Sequence, residues 1–156
     1  MKIYPQRPPM TDEELEAFLH EAQIARLGSL NPDGTVHLSA LWFRYENGEI
    51  LFGTQEMTNK VRNIKSDPNV TVLVDVEGPH PKGVLIYGSA ELDYENVADK
   101  RVDIFEKYMP REHAQHLTTE LADHFEPVVI RVKPTRISSY DYAKDGMIQI
   151  GTSRST

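Results

Sequence analysis

The sequence contains no cysteine among its 156 residues. Disulfides and thiolate metal sites are therefore excluded, and this composition is typical of a cytoplasmic protein. No apolar run approaches the roughly 20 residues that a membrane-spanning helix needs, and the N-terminal residues include no apolar signal segment. We predict a cytoplasmic protein with no membrane partner.

Several well-known catalytic motifs are missing as well. The chain has no Gly-x-Ser-x-Gly elbow, no His-Glu-x-x-His sequence, no Walker loop and no dinucleotide-binding fingerprint. Three histidines lie close together, at His113, His116 and His124, but no carboxylate stands at a recognised metal-ligand spacing from them. We interpret them as surface residues and predict no metal site. Any catalysis would then depend on a bound organic cofactor.

The charge balance is acidic, with 17 basic residues, 24 acidic residues and a net charge of −7. This excess argues against a nucleic-acid partner, although it leaves room for a local basic pocket. The length and the 39% hydrophobic content suit one globular domain over residues 1–156. Within it we predict an irregular arm over residues 1–10 and a polar tail over residues 143–156.

The hydrophobic pattern predicts a mainly β protein with a few helices. Thr11 begins a capping box ahead of an amphipathic helix, and the period changes to two from Ile24. Turns at 31–34 and 46–48 predict a three-stranded meander. Further helices are expected over residues 58–66 and 95–123, the second one broken near Pro110. The expected strands cover residues 24–30, 35–45, 49–54, 70–76, 83–92, 127–133 and 136–142, with Pro134 interrupting the last two. Such an arrangement favours a closed or partly closed antiparallel barrel.

One stretch, residues 50–64, combines an apolar strand, a polar elbow and a basic first helical turn. Thr58 and Asn59 are residue types that cap helices, and Lys60 follows them directly. Free N–H groups and a hydroxyl at a helix start, together with a lysine, are suited to binding a phosphate. The alternative is an ordinary helix start with solvated charges.

A second stretch lies on the preceding predicted strand. His37 and Ser39 share one face of that strand, whereas Leu38, Ala40 and Trp42 share the other. A polar pair at alternate positions is suited to hydrogen-bonding a heterocycle along the strand. The alternative is an exposed face of a two-sided strand.

The order and spacing of several segments together resemble a known family. These segments are residues 24–30, Asn31-Pro-Asp-Gly, Val36-His-Leu-Ser-Ala-Leu-Trp-Phe, Thr58-Asn-Lys-Val-Arg-Asn-Ile, Asp67-Pro, residues 83–92 and residues 128–136. Over residues 12–142 the chain resembles the pyridoxamine 5′-phosphate oxidase-like flavin-binding split β-barrels. It is most similar to the branch labelled deazaflavin-dependent oxidoreductases.

The resemblance implies a six- to seven-stranded antiparallel split barrel of the flavin-binding type, with FMN held at a homodimer interface. It places the flavin phosphate at Thr58, Asn59 and Lys60. It implies contacts to the flavin ring from two stretches, namely His37, Leu38, Ser39 and Ala40, and Phe52, Gly53 and Thr54. Lys82 is the residue that the second subunit would contribute.

The resemblance also implies a function, a flavin-dependent oxidoreductase in which the cofactor carries hydride transfer to or from a small molecule. Many relatives have an arginine where Thr58 stands, so the deazaflavin coenzyme F420, or haem or another tetrapyrrole, are alternatives to FMN. A non-catalytic flavin or haem carrier on the same fold is the alternative function. Vitamin B6 oxidation is not indicated, since its substrate-binding segment is not found in residues 141–156. The sequence specifies neither the substrate nor a proton donor.

Overall fold

Over residues 8–144, which the computed structural model describes, seven antiparallel strands form one curled sheet with four α-helices. The elements in chain order are α1 (Asp12–Glu21), β1 (Ala25–Leu30), β2 (Val36–Leu41), β3 (Arg44–Glu46), β4 (Glu49–Gln55), α2 (Asn59–Ser66), β5 (Asn69–Val76), β6 (Lys82–Asp93), α3 (Val97–Phe105), α4 (Arg111–His124) and β7 (Pro127–Asp141), followed by a short 3₁₀ turn (Tyr142–Lys144). The strand order is β2-β1-β5-β6-β7-β4-β3. The predicted split-barrel fold is confirmed. Most of the predicted arm and tail lie outside the described residues.

Local sequence signals set the first elements. The predicted capping box of α1 is confirmed, because Glu14 N–H donates to the Thr11 hydroxyl (3.2 Å) and Thr11 N–H donates to the Glu14 carboxylate (3.3 Å). Both predicted hairpin turns are present, and Asn47 and Gly48 take positive φ values of 51° and 77° in the second. A turn of this kind needs residues that tolerate left-handed backbone.

The predicted meander is wrong, and the reason lies in the middle of its long second strand. Residues 35–45 form two strands, β2 and β3, separated at Trp42 and Phe43. β2 pairs with β1, whereas β3 pairs with β4 at the opposite edge of the sheet. The chain therefore crosses from one edge to the other, which brings the two edges together and curls the sheet.

The predicted interruption at Pro134 is also wrong, because β7 continues through it. The register with β6 shifts there instead: Gly88 lies opposite Pro134, and Tyr87 lies opposite Arg136. Thr135 is the extra residue of this bulge, and its hydroxyl donates to the Tyr87 carbonyl (3.1 Å). A Cβ at Gly88 would lie 2.4 Å from the Lys133 carbonyl oxygen, so only glycine fits at this point.

Two apolar clusters lie on opposite faces of β4 and β7. Phe52 and Ile130 point into the barrel interior, where they pack with the inward residues of β1, β5 and β6. Leu51 and Val129 point outward and pack against the α3–α4 hairpin. No helix among residues 8–144 has the length and apolar character needed to cross a bilayer.

Candidate cofactor and ligand site

A cavity of about 310 Å³ lies at the seam where β2 and β4 approach the α3–α4 hairpin. Its walls come from elements far apart in sequence, because the β2–β3 crossover brings the first and last parts of the sheet together. The lining residues are Ile24, Ala40, Leu41, Trp42, Gly53, Gln55, Arg101, Phe105, Leu117 and Leu121. The wall is thus mostly apolar, and its polar side-chain groups are the amide of Gln55, the guanidinium of Arg101 and the indole N–H of Trp42.

Arg101 is the unusual member of this lining. It is only 1% exposed, yet its Nε and Nη1 atoms have no hydrogen-bond partner among residues 8–144. The guanidinium carbon lies 5.5 Å from the centre of the Phe105 ring. Burial lowers the pKa of Arg101, although an arginine remains protonated at neutral pH. The cavity therefore contains a buried positive charge without a carboxylate.

Gly53 provides the space for that arginine. A Cβ at this position would lie 3.3 Å from Arg101 Cγ and 3.4 Å from its Nε. The arginine stem consequently lies directly on the β4 backbone. Gly53 faces outward because side chains alternate along a strand, and its neighbours Phe52 and Thr54 point to the other face.

An aromatic group forms another wall of the cavity. Trp42 stacks on Tyr108 with ring centres 4.7 Å apart, and it meets the Phe105 ring edge-on at 5.8 Å. The Tyr108 hydroxyl accepts from the Phe43 N–H (2.9 Å) and donates to the Phe43 carbonyl (3.1 Å). Tyr108 therefore fixes the β2–β3 crossover against the end of α3.

The stretch predicted to bind phosphate lies at the start of α2. Thr58 is the N-cap residue, but its hydroxyl donates to the Gln55 carbonyl (2.9 Å) and does not cap the helix. The Thr58 N–H also donates to the Gln55 carbonyl (3.2 Å), whereas the N–H groups that follow lack intrahelical partners, as in any α-helix, and remain available at this start. Asn59 is exposed beside them.

Lys60 follows in the first turn of α2 and is half-buried. Within residues 8–144 its ammonium forms no ion pair or hydrogen bond, and burial lowers its pKa. Lys65, one turn later on the same helix, is instead paired with Glu56. A half-buried cation without a partner at an uncapped helix start is a fitting place for an anion.

The two stretches predicted to contact a ring meet at the cavity through one residue each, Ala40 and Gly53. On the inner face of β2, His37 and Ser39 are half-buried and lie within hydrogen-bond distance of each other (3.2 Å). Leu38 is on the outer face and 70% exposed. Phe52 and Thr54 are buried in the barrel interior, so their side chains do not line the cavity.

Lys82 lies elsewhere in its own chain. It begins β6, and its ammonium lies 5.5 Å from the centre of the ring of Phe18, a residue of α1. Its contribution to the site of a second subunit stays a prediction. His113, His116 and His124 all lie exposed on α4.

A larger groove of about 650 Å³ lies between α1 and the end of β7. Several of its polar groups already have partners: Met10 N–H donates to the Ser139 hydroxyl (2.9 Å), and the Tyr45 hydroxyl donates to Glu16 (2.8 Å). The smaller seam cavity, with its unpaired guanidinium, is therefore the better candidate for a ligand site.

Sequence reasoning missed Arg101 and the walls formed by α3 and α4. A signal was present, because Arg101 stands four residues after Val97 and four before Phe105, within the apolar stripe of α3. A charged residue inside such a stripe is either paired or functional.

The fold and the seam cavity together define a mainly β split barrel with a helix start and an apolar cleft at its edges. The sequence profile of the family described as pyridoxamine 5′-phosphate oxidase matches residues 11–141. The chain therefore belongs to this family.

Solved structures of the same fold are numerous. Conserved hypothetical protein Rv2991 of Mycobacterium tuberculosis has a TM-score of 0.81 and 24% identity, with 99% of each chain covered. A FAD-binding protein of Mesorhizobium loti has a TM-score of 0.62 and 19% identity, over 87% of this chain and 96% of that one. A structure described as F420 reductase has a TM-score of 0.59 and 22% identity, over 79% and 94%. At these identities the similarity shows the fold alone. A comparison with curated proteins gives no match.

Proposed function

We propose that this protein is an oxidoreductase that binds a flavin-type cofactor, FMN in the first instance, and acts on a small molecule. The observation that carries the proposal is the unpaired, half-buried Lys60 at the uncapped start of α2. Asn59 and Lys60 would hold the phosphate with N–H groups and one positive charge, and the Thr58 hydroxyl would join them by turning away from the Gln55 carbonyl. Family membership and the FAD-binding and F420 reductase neighbours support a cofactor of this type.

The ring of the cofactor would lie along the seam between β2 and β4. His37 and Ser39 can offer hydrogen bonds on β2, and Gly53 lets a flat group approach the β4 backbone. When bound, a flavin supplies hydride transfer, and the protein contributes orientation and an apolar wall that excludes water.

A homodimer would complete the site. The outer face of the sheet carries exposed apolar side chains on neighbouring strands, with Leu30 40%, Val36 59% and Leu38 70% exposed. Covering such a patch with a second copy would remove it from water. In that dimer Lys82 of the second subunit would approach the cofactor.

The phosphate assignment can be tested with one substitution. Lys60→Ala removes a charge-assisted contact, so FMN affinity should fall by about 1.5–3 kcal/mol, roughly 10- to 150-fold. Lys65→Ala, on the same helix but paired with Glu56, is the matched control and should retain FMN. FMN binding is followed by absorption and flavin-fluorescence titration. Unchanged affinity in Lys60→Ala would contradict the phosphate assignment.

A non-catalytic carrier is the second candidate function, and the neighbour described only as FAD-binding favours it. The two functions differ in turnover. A bound flavin that neither a nicotinamide nor a deazaflavin donor reduces indicates a carrier. A protein that binds F420 but not FMN indicates a deazaflavin-dependent reductase, and a Soret band that shifts and sharpens relative to free haem indicates a tetrapyrrole protein.

A further inference from the structure

We infer that the seam cavity binds a small molecule with an apolar body and one carboxylate, and that Arg101 is the residue that recognises the carboxylate. The inference that a carboxylate binds in this cavity depends only on the cavity's geometry and lining. Its assignment as the substrate site rests on the proposed oxidoreductase function.

The first step is the charge of Arg101. A guanidinium that is 1% exposed, with two nitrogens lacking any partner among residues 8–144, is costly to keep in a folded chain. None of the residues that line the cavity is acidic. An anionic ligand would supply the missing partner, and arginine binds planar oxyanions with particular geometric fit.

The second step is the number of charges. Arg101 is the one cation of the lining, and the Gln55 amide and the Trp42 indole N–H are its neutral side-chain donors. Phosphate sites usually combine several donors and more positive charge. One positive charge with two neutral donors matches a monoanion, so a carboxylate fits the cavity better than a phosphate dianion.

The third step is the body of the ligand. The remaining walls are aliphatic and aromatic, and Trp42 and Phe105 present their rings to the space. A cavity of about 310 Å³ is at the small end of the range for ligand sites. The ligand is therefore compact and apolar beyond its carboxylate.

Trp42 makes the inference directly measurable, since it is the single tryptophan of the chain and lines the cavity. Cyclohexanecarboxylate, its neutral analogue cyclohexylmethanol, and inorganic phosphate are titrated into the full chain without flavin, and tryptophan fluorescence is recorded. We expect saturable binding of the carboxylate at least about tenfold tighter than that of the alcohol or phosphate, in keeping with a charge-assisted hydrogen bond. Equal binding of carboxylate and alcohol, or tighter binding of phosphate, would overturn the inference.

Variants assign the effect to Arg101. Arg101→Met should reduce carboxylate affinity to that of the alcohol, and Arg101→Lys should give an intermediate value. The control is Arg136→Met, because Arg136 is exposed on β7 and lies over the Tyr87 ring instead. Gly53→Ala is a second variant: its Cβ would lie 3.3 Å from Arg101 Cγ, so it should displace the arginine stem and weaken the carboxylate several-fold more than it weakens the alcohol. Wild-type carboxylate affinity in Arg101→Met would refute the assignment.

A final titration separates the ligand from the cofactor. If the protein saturated with FMN still binds the carboxylate, Arg101 serves a substrate. If FMN and the carboxylate compete, the two occupy the same space and the substrate assignment is wrong. If FMN does not bind at all, the proposed function fails, whereas the titrations without flavin still decide the role of Arg101.

Discussion

Two arginines lie at the same outer face of β4 and β7. The charge of one is paired with carboxylates, and the charge of the other is not. Arg131 on β7 is 26% exposed and donates to Glu49 (2.8 Å) and to Asp93 (2.9 Å). Arg101 on α3 is 1% exposed and has no carboxylate partner among residues 8–144. Stability alone would favour the reverse, since the more deeply buried cation needs a partner more. We infer from this difference that Arg131 stabilises the fold through its ion pairs, whereas the charge of Arg101 serves ligand binding.

The pKa shifts follow the same division. Hydrogen bonds from Arg131 to Glu49 and then to Asp93 raise the pKa of Arg131. Burial by itself would raise the pKa of Asp93, but hydrogen bonds from Lys100 and Arg131 outweigh it and lower the pKa from 3.8 to about 2. In the cavity, burial lowers the pKa of Arg101. The surroundings of Arg131 and Asp93 therefore stabilise the charged forms of both residues, whereas the surroundings of Arg101 destabilise its charged form.

The largest expected effect is a contrast in stability between two matched substitutions. Arg131→Met leaves two carboxylates without their shared partner and should lower the free energy of unfolding by about 2–3 kcal/mol. Arg101→Met retains the apolar stem and removes an unpaired charge, so stability should stay unchanged or rise by up to about 2 kcal/mol. Urea unfolding of both variants measures this contrast. Similar losses in both would mean that Arg101 also has a structural role.

A smaller effect concerns acid. The pKa of Asp93 is about 2 in the folded protein and 3.8 in the unfolded chain. Its charged form therefore stabilises the fold above about pH 4, and this contribution is lost as the pH falls toward 2. Asp93→Asn should therefore be less stable than the wild type near neutral pH, and the gap should close as the pH falls. Unfolding midpoints measured along a pH series test this. A gap that stays constant would show that Asp93 contributes through packing and not through charge.

Local chemistry explains which elements the sequence could predict. The capping box at Thr11, the Asn47-Gly48 turn and the start of α2 at Thr58 each depend on a few neighbouring residues. The β2–β3 crossover depends on pairing of β3 with β4 and of β4 with β7, and the latter joins residues such as Gly53 and Val129. The Asn47-Gly48 turn predicts the first of these pairings, but no local signal contains the second, which is why the meander prediction failed.

The candidate site divides in the same way. Thr58, Asn59 and Lys60 follow one another in the chain, so their shared location was predictable. The alternation of side chains along β4 also places Gly53 on the face opposite to Phe52 and Thr54, and this pattern can be read from the sequence. The position of Arg101 on Gly53 joins two segments 48 residues apart, and only the folded structure shows it.

The smallest expected effect concerns a third cation, Lys107. The Lys107 ammonium lies 3.7 Å from the centre of the Phe43 ring and has no hydrogen-bond partner among the described residues. Burial lowers its pKa from 10.5 to about 8. Between these two values the unfolded chain binds more protons than the folded chain, so this lysine makes stability rise with pH.

Lys107→Met should remove that rise, and comparing its unfolding midpoints with those of the wild type at about pH 7 and about pH 9.5 measures the difference. The nearby charged residues Arg44 and Glu106 are present in both proteins. Equal slopes would show that the ammonium is solvated. A steeper slope in the wild type would show that burial beside the ring disfavours the cation, a cost that Lys107, unlike Arg101, can avoid by losing its proton. An arginine lacks that option, and this is why the charge in the seam cavity calls for an anion.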